Sequence, residues 1–225
     1  ALFFLIGKNA EIKLNFKYFK LKRSRCLRII ALGTSGFTMG ATNSLVQLVC
    51  NKMSFMTGGD LYVGVMTILN SVREIFSTPI SGIGSGASPV MSFNYGRRNG
   101  ERVRKASNFT LYSTLLISLT VWLVVFLFPR YVAMLFTDDA ILIDSSVRAL
   151  KIYFFGFVFM SFQTAGQQTF VALGKAKHAV FFSLFRKVII VVPLTIILPY
   201  FFLSDGVVLA EPISNVVGGF AAYIT

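Results

Sequence analysis

Six long stretches almost free of charge, separated by short clusters of alternating electrical character, constrain this 225-residue chain more than any other feature. Residues 29–51, 106–129 and 152–174 contain no Asp, Glu, Lys or Arg. Residues 61–96 are interrupted only by Arg73 and Glu74, 179–204 only by Arg186 and Lys187, and 206–225 only by Glu211. A helix needs about 20 residues to cross roughly 30 Å of hydrocarbon, so each stretch is long enough for one crossing. Barrel strands would alternate apolar and polar residues over about 10 positions, and these stretches do not. Charged residues make up 14% of the chain, where a soluble domain carries about 25%. Soluble enzymes, disordered regulators and disulfide scaffolds are therefore poor readings. The pattern predicts an all-α polytopic membrane protein with spans at about 28–51, 61–95, 106–129, 148–174, 179–204 and 206–225. The apolar run at 1–6 reads as the end of a preceding helix, and 7–27 as a linker. An apolar run at each end of the sequence suggests a piece of a longer protein.

The connecting segments set the orientation. Residues 7–28, 97–105 and 175–187 hold eight, five and four of the 22 basic residues, with two acidic residues among them, Glu11 and Glu101. The segments between them are acidic or nearly uncharged, with Asp60, Asp138, Asp139, Asp144 and Asp205. Basic residues beside short loops stay on the cytoplasmic side, so these three segments are predicted to face inward from a plasma membrane. Contact with anionic lipid headgroups explains the remaining excess of positive charge, and no nucleic-acid partner is expected. Cys26 and Cys50 fall near opposite ends of one predicted helix, ~36 Å apart, too far to pair.

Charges within apolar spans are costly and call for a partner or a wet cavity. Arg73 and Glu74 are neighbours in sequence, so their side chains point about 100° apart, and each faces a wet cavity or a partner on another helix, as a transport group or as half of a structural ion pair that fixes helix packing. Glu211 precedes Pro212, which removes a backbone donor and loosens the helix there. These three residues are candidates for transport or coupling. Burial could let Glu211 take up and release a proton, or it could cap freed backbone donors. Asn43 and Gln47 share one helix face, as do Gln163 and Gln167, so all four are candidates to line a hydrated chamber. Interhelical hydrogen bonding explains such faces equally well. The glycines at 33, 36, 40, 82, 84 and 86 suit close helix approach or bending. No catalytic set can be assembled around His178, the lone histidine, and neither a metal-ligand spacing nor a cofactor motif is present.

Residues 81–106, SGIGSGASPVMSFNYGRRNGERVRKA, carry Pro89, Asn94, Tyr95 and Gly96 ahead of a basic run. This stretch resembles the second helix of the C-lobe and the following loop of the multidrug and toxic compound extrusion (MATE) family. GQQTFVALGKAKHA at 166–179 and DGVVLAEPISNVVG at 205–218 resemble two later parts of the same lobe, in forms most similar to the MepA-like branch. The resemblance implies the six-helix C-terminal lobe of a twelve-helix, two-lobe transporter. It implies alternating access and export of cationic or amphipathic drugs in exchange for H+ or Na+, with an N-terminal lobe as partner. Some members carry acidic sodium-site residues on the first and fourth C-lobe helices. Here those helices carry none, so that site is not transferred. A lipid-linked oligosaccharide flippase of the same architecture, favoured by a more cationic cavity, and an inert truncated fragment are the alternative expectations.

Overall fold

The computed structural model describes residues 23–224. The expected helix end at 1–6 and residues 7–22 of the linker lie outside the described residues, and residues 23–27 already belong to the first helix. All regular structure in the described part is helical. Helix α1 runs from Arg23–Gly96 and contains one break, at Gly59, with φ 64° and ψ −158°. That backbone conformation is open to glycine and strained for side-chain-bearing residues. A Cβ on the adjacent Gly58 would collide with the Tyr62 ring and the Ser204 hydroxyl. The break reverses the chain. On one straight helix Gln47 and Arg73 would be about 39 Å apart, yet they line the same cavity. Two crossings, 23–58 and 60–96, therefore come from α1.

The chain leaves α1 through a three-residue turn. Arg98 takes a left-handed φ of 56°, and Asn99 Oδ1 accepts from Arg102 N at 3.1 Å, which caps the next helix. Helix α2 spans Gly100–Leu127 and α3 Pro129–Met134. Helix α4 spans Ala140–Phe155 and opens on Asp139, whose Oδ1 accepts from Ile141 N at 2.9 Å. This crossing starts well before the expected 148, because the acidic cluster includes the helix cap. A 3-10 turn at Phe157–Phe159 leads into α5, Met160–Ala172. Helix α6, Ala176–Leu184, continues through a π-helical segment, Phe185–Val191, into α7, Val192–Ile197, and α8, Pro199–Phe202. After a left-handed Leu203 (φ 53°), α9 runs Ser204–Ile224.

The expectation of a basic loop over 175–187 is corrected here. Residues 176 onward are helical, and Arg186 and Lys187 lie inside the bundle rather than in a loop. The cause is Pro193. It has no N–H and crowds the carbonyl four residues back. The preceding turn widens, so that Val192 N–H bonds Lys187 O, five residues back, and a π turn of this kind absorbs the strain without ending the helix.

Contacts at the ends of the bundle define its topology. Ser204 Oγ donates to Thr57 O at 3.0 Å, Arg148 pairs with Asp205 at 2.6 Å and Arg130 with Asp144 at 2.9 Å, so the links at 59, 128–139 and 203 share one end. Tyr95, Arg104, Thr169 and Leu173 line one groove, which places the links at 97–99 and 173–175 at the other end. The interior combines an apolar cluster, including Val65, Leu69, Leu150, Phe154 and Val208, with small hydroxyl contacts such as Ser118 Oγ to Ser161 Oγ at 2.6 Å. Such small-residue, hydrogen-bonded contacts are what lets helices pack where lipid removes the hydrophobic drive.

The outer face is hydrocarbon. Windows in Gly100–Leu127 and Lys177–Phe202 reach mean hydropathies of 2.0 and 2.2, with only 33% and 22% buried within the bundle. Leu135, Tyr200 and Phe201 are each more than three-quarters exposed. A soluble fold does not leave such faces uncovered. Polar groups from several of the crossings gather at one interior site.

Candidate functional site: a charged cavity at mid-depth

The cavity, of about 190 Å³, lies between both arms of α1, α4, the π segment, α7 and α9. Asn43, Gln47 and Cys50 come from the first arm, Asn70, Arg73 and Glu74 from the second, Tyr153 from α4, Lys187 from the π segment, Thr195 from α7 and Glu211 from α9. Arg73 and Glu211 sit well inside their helices. Arg73 is ~20 Å along from Gly59 and Glu211 ~10 Å from Ser204, by helical rise. A polar cavity at that depth, where irregular backbone meets a helix-internal proline, is where membrane carriers place their binding sites.

One carboxylate organises the cations. Arg186 Nη1 donates to Glu211 Oε1 at 3.1 Å and to Asn215 Oδ1 at 2.6 Å. Arg73 Nη1 approaches the same Glu211 oxygen at 3.7 Å. The Glu211 side chain is 14% exposed and that of Arg186 6%. The Nε atoms of Arg73 and Arg186 are buried without a hydrogen-bond partner. Cys50 Sγ lies 3.7 Å from Thr195 Oγ1, and both Cys26 and Cys50 are free thiols. Glu74 is exposed, and a second polar pocket of about 260 Å³, lined by Gln47, Asn51, Thr67, Asn70, Ser71, Arg73 and Glu74, adjoins on its side.

Five of the sequence candidates, Asn43, Gln47, Arg73, Glu74 and Glu211, meet in this cavity. Gln163 and Gln167 do not line it. Gln163 is buried, and Gln167 Nε2 lies 3.8 Å from Met39 Sδ. The polar face of α5 instead serves helix contacts, with Ser161 Oγ donating to Thr114 O and Thr169 Oγ1 2.9 Å from Ser107 Oγ. Of the glycines, Gly84 packs against Gln168, whereas Gly40, Gly82 and Gly86 have open space. The sequence reading missed Asn70, Lys187, Arg186 and Asn215. Arg186 and Lys187 carried a usable signal, a basic pair inside an apolar run six residues before a proline.

The motif residues lie in the last turns of α1. Asn94 is buried, its Nδ2 donates to Val90 O at 2.8 Å, and its carbonyl accepts from Asn99 N at 2.9 Å. Gly96 ends α1, Tyr95 O accepts from Arg98 N at 2.9 Å, and Pro89 lies exposed inside the helix. Among the described residues no group of three or more His, Cys, Asp or Glu could hold a metal ion.

Fold and site together define half of an all-α polytopic membrane transporter. The MatE family model matches residues 36–197, and the chain belongs to that family. Among solved structures it is similar to a MATE in complex with MaL6, at TM-score 0.92 and 20% identity, covering 100% of this chain and 51% of that one. It is similar to an outward-facing multidrug resistance MATE family transporter of the MOP superfamily, at TM-score 0.91 and 21% identity, with 100% and 51% covered. A third is a MOP superfamily transporter from Pyrococcus furiosus Vc1 (DSM3638), described by the reverse polarity of its binding pocket, at TM-score 0.91 and 20% identity, with 100% and 51% covered. The chain thus spans about half the length of the structures it matches. No curated protein matches.

Proposed function

We propose that this chain is the C-terminal lobe of a secondary antiporter in the cell membrane. It exports cationic or amphipathic drug-like compounds in exchange for H+ or Na+ by alternating access, with a second six-helix lobe closing over its polar face. The observation that carries this reading is the mid-depth cavity, where a buried carboxylate bridges two helices beside Pro212 and a π turn. A rocking carrier needs a polar site at the midplane and helices that can bend there. Glu211 is the buried acid of this cavity, and through it coupling would reach the Arg73 and Arg186 contacts. Expression of the full-length two-lobe protein in a pump-deficient host tests the reading. Lower accumulation of amphipathic dyes, ethidium included, is the expected result, and unchanged accumulation across the panel refutes export. Glu211→Gln is expected to weaken proton-linked transport, and a pH–activity profile identical to the parent removes that carboxyl from coupling.

A lipid-linked oligosaccharide flippase is the second reading, supported by the company Arg73 keeps with Arg186 and Lys187. Loss of precursor flipping in Arg73→Ala with dye efflux intact would favour it. A chain acting as an inert fragment would neither flip nor export in either assay.

A further inference from the structure

We infer that the cavity binds an oxyanion, the carboxylate or phosphate of an amphipathic compound, between Arg73 and Lys187. The inference rests on the transporter reading of the same cavity and narrows its amphipathic substrates to those bearing an acid group. Three cations, Arg73, Arg186 and Lys187, gather around one buried carboxylate, Glu211. Glu74, the other acid here, is exposed at the rim toward the adjoining pocket.

Hydrogen bonding divides the three cations unequally. Arg186 is engaged with both Glu211 and Asn215. Arg73 reaches Glu211 only at 3.7 Å, beyond hydrogen-bond length, and its Nε is buried and unpartnered. Lys187 lines the cavity, half-buried, and makes no ion pair or hydrogen bond among the described residues. Three cations around one buried carboxylate leave positive charge in excess at membrane depth, which is costly, and an anion placed between Arg73 and Lys187 would offset it. Arg and Lys donors to an oxyanion form charge-assisted hydrogen bonds. Asn43, Gln47 and Asn70 add neutral donors, and Val46, Met66 and Val207 supply apolar wall. The volume of about 190 Å³ exceeds the roughly 150 Å³ that accommodates benzene, so an acid group with an attached ring fits, and the remaining rings of a larger compound such as fluorescein would extend into the adjoining pocket of about 260 Å³, which shares Gln47, Asn70, Arg73 and Glu74.

The test is anisotropy of fluorescein with the chain in nanodiscs of phosphatidylcholine. Saturable binding is expected. Lys187→Gln and Arg73→Gln should each weaken it about tenfold or more. Glu211→Gln removes the competing internal carboxylate and should strengthen it. Lys187 makes no hydrogen bond or close ion pair for the substitution to break, so Lys187→Gln carries the test if Arg73→Gln fails to fold. Competition by benzoate assigns the site to soluble acids, and competition by phosphatidylglycerol added to the nanodisc assigns it to acidic lipid headgroups. Displacement by both leaves the shared oxyanion chemistry standing. No saturable binding, competition by neither, or an unchanged affinity in Lys187→Gln overturns the inference. Dye efflux without fluorescein binding sinks this inference alone, and fluorescein binding without efflux of any dye sinks the antiporter reading alone.

Discussion

Glu211 is the residue on which the interior depends, because it is the counter-charge shared by two arginines from different helices. Removing one partner from a buried charge network costs about 3–5 kcal/mol, so Glu211→Ala should lower stability by that order. Thermal unfolding in detergent measures it, and a loss below about 1 kcal/mol would mean that the pairs contribute little. At the other end of the scale stands Arg98, held at φ 56° between two helices. A left-handed backbone costs a side-chain-bearing residue about 1–2 kcal/mol, so Arg98→Gly should raise stability by about 1 kcal/mol. Residue chemistry was the most legible level. Arg73, Glu74 and Glu211 stand out because charge is rare in apolar runs. Arg186 and Lys187 escaped because a tally of basic residues absorbs any lysine or arginine close to a loop, and depth within a helix is not part of that tally.

Elements are shaped by a few backbone exceptions. Gly59 reverses α1, and Pro193 widens the turn that carries Arg186 and Lys187. Gly156, between α4 and the 3-10 turn, packs directly on α9, where a Cβ would lie 2.6 Å from the Cα and carbonyl oxygen of Pro212. Backbone cannot step aside as a side chain can, so Gly156→Ala should destabilise by about 1–3 kcal/mol. Gly82→Ala is the matched control. It lies in open space within a helix and should stabilise by up to about 1 kcal/mol. Equal effects in the two variants would contradict the crossing at Pro212. The positions of the helices were readable from charge-free runs, but their mutual rotation was not. Periodicity shows that Gln163 and Gln167 share a face. It does not say whether that face meets a cavity or the helices bearing Met39 and Ser107, and here the packed neighbours take the α5 face.

For the whole molecule, the arrangement of ends matters most. The links at 97–99 and 173–175 gather at one end of the bundle and those at 59, 128–139 and 203 at the other. With exposed apolar faces between the two ends, the molecule is built to stand in a bilayer. Single cysteines placed at Arg98, Lys175, Asp60 and Asp138, in a chain with Cys26 and Cys50 replaced by serine, test this directly through labelling of intact cells with an impermeant maleimide. The prediction is that Asp60 and Asp138 label from outside while Arg98 and Lys175 label only after the membrane is opened. Labelling of Arg98 and Lys175 from opposite sides would contradict a lobe threaded six times through the bilayer.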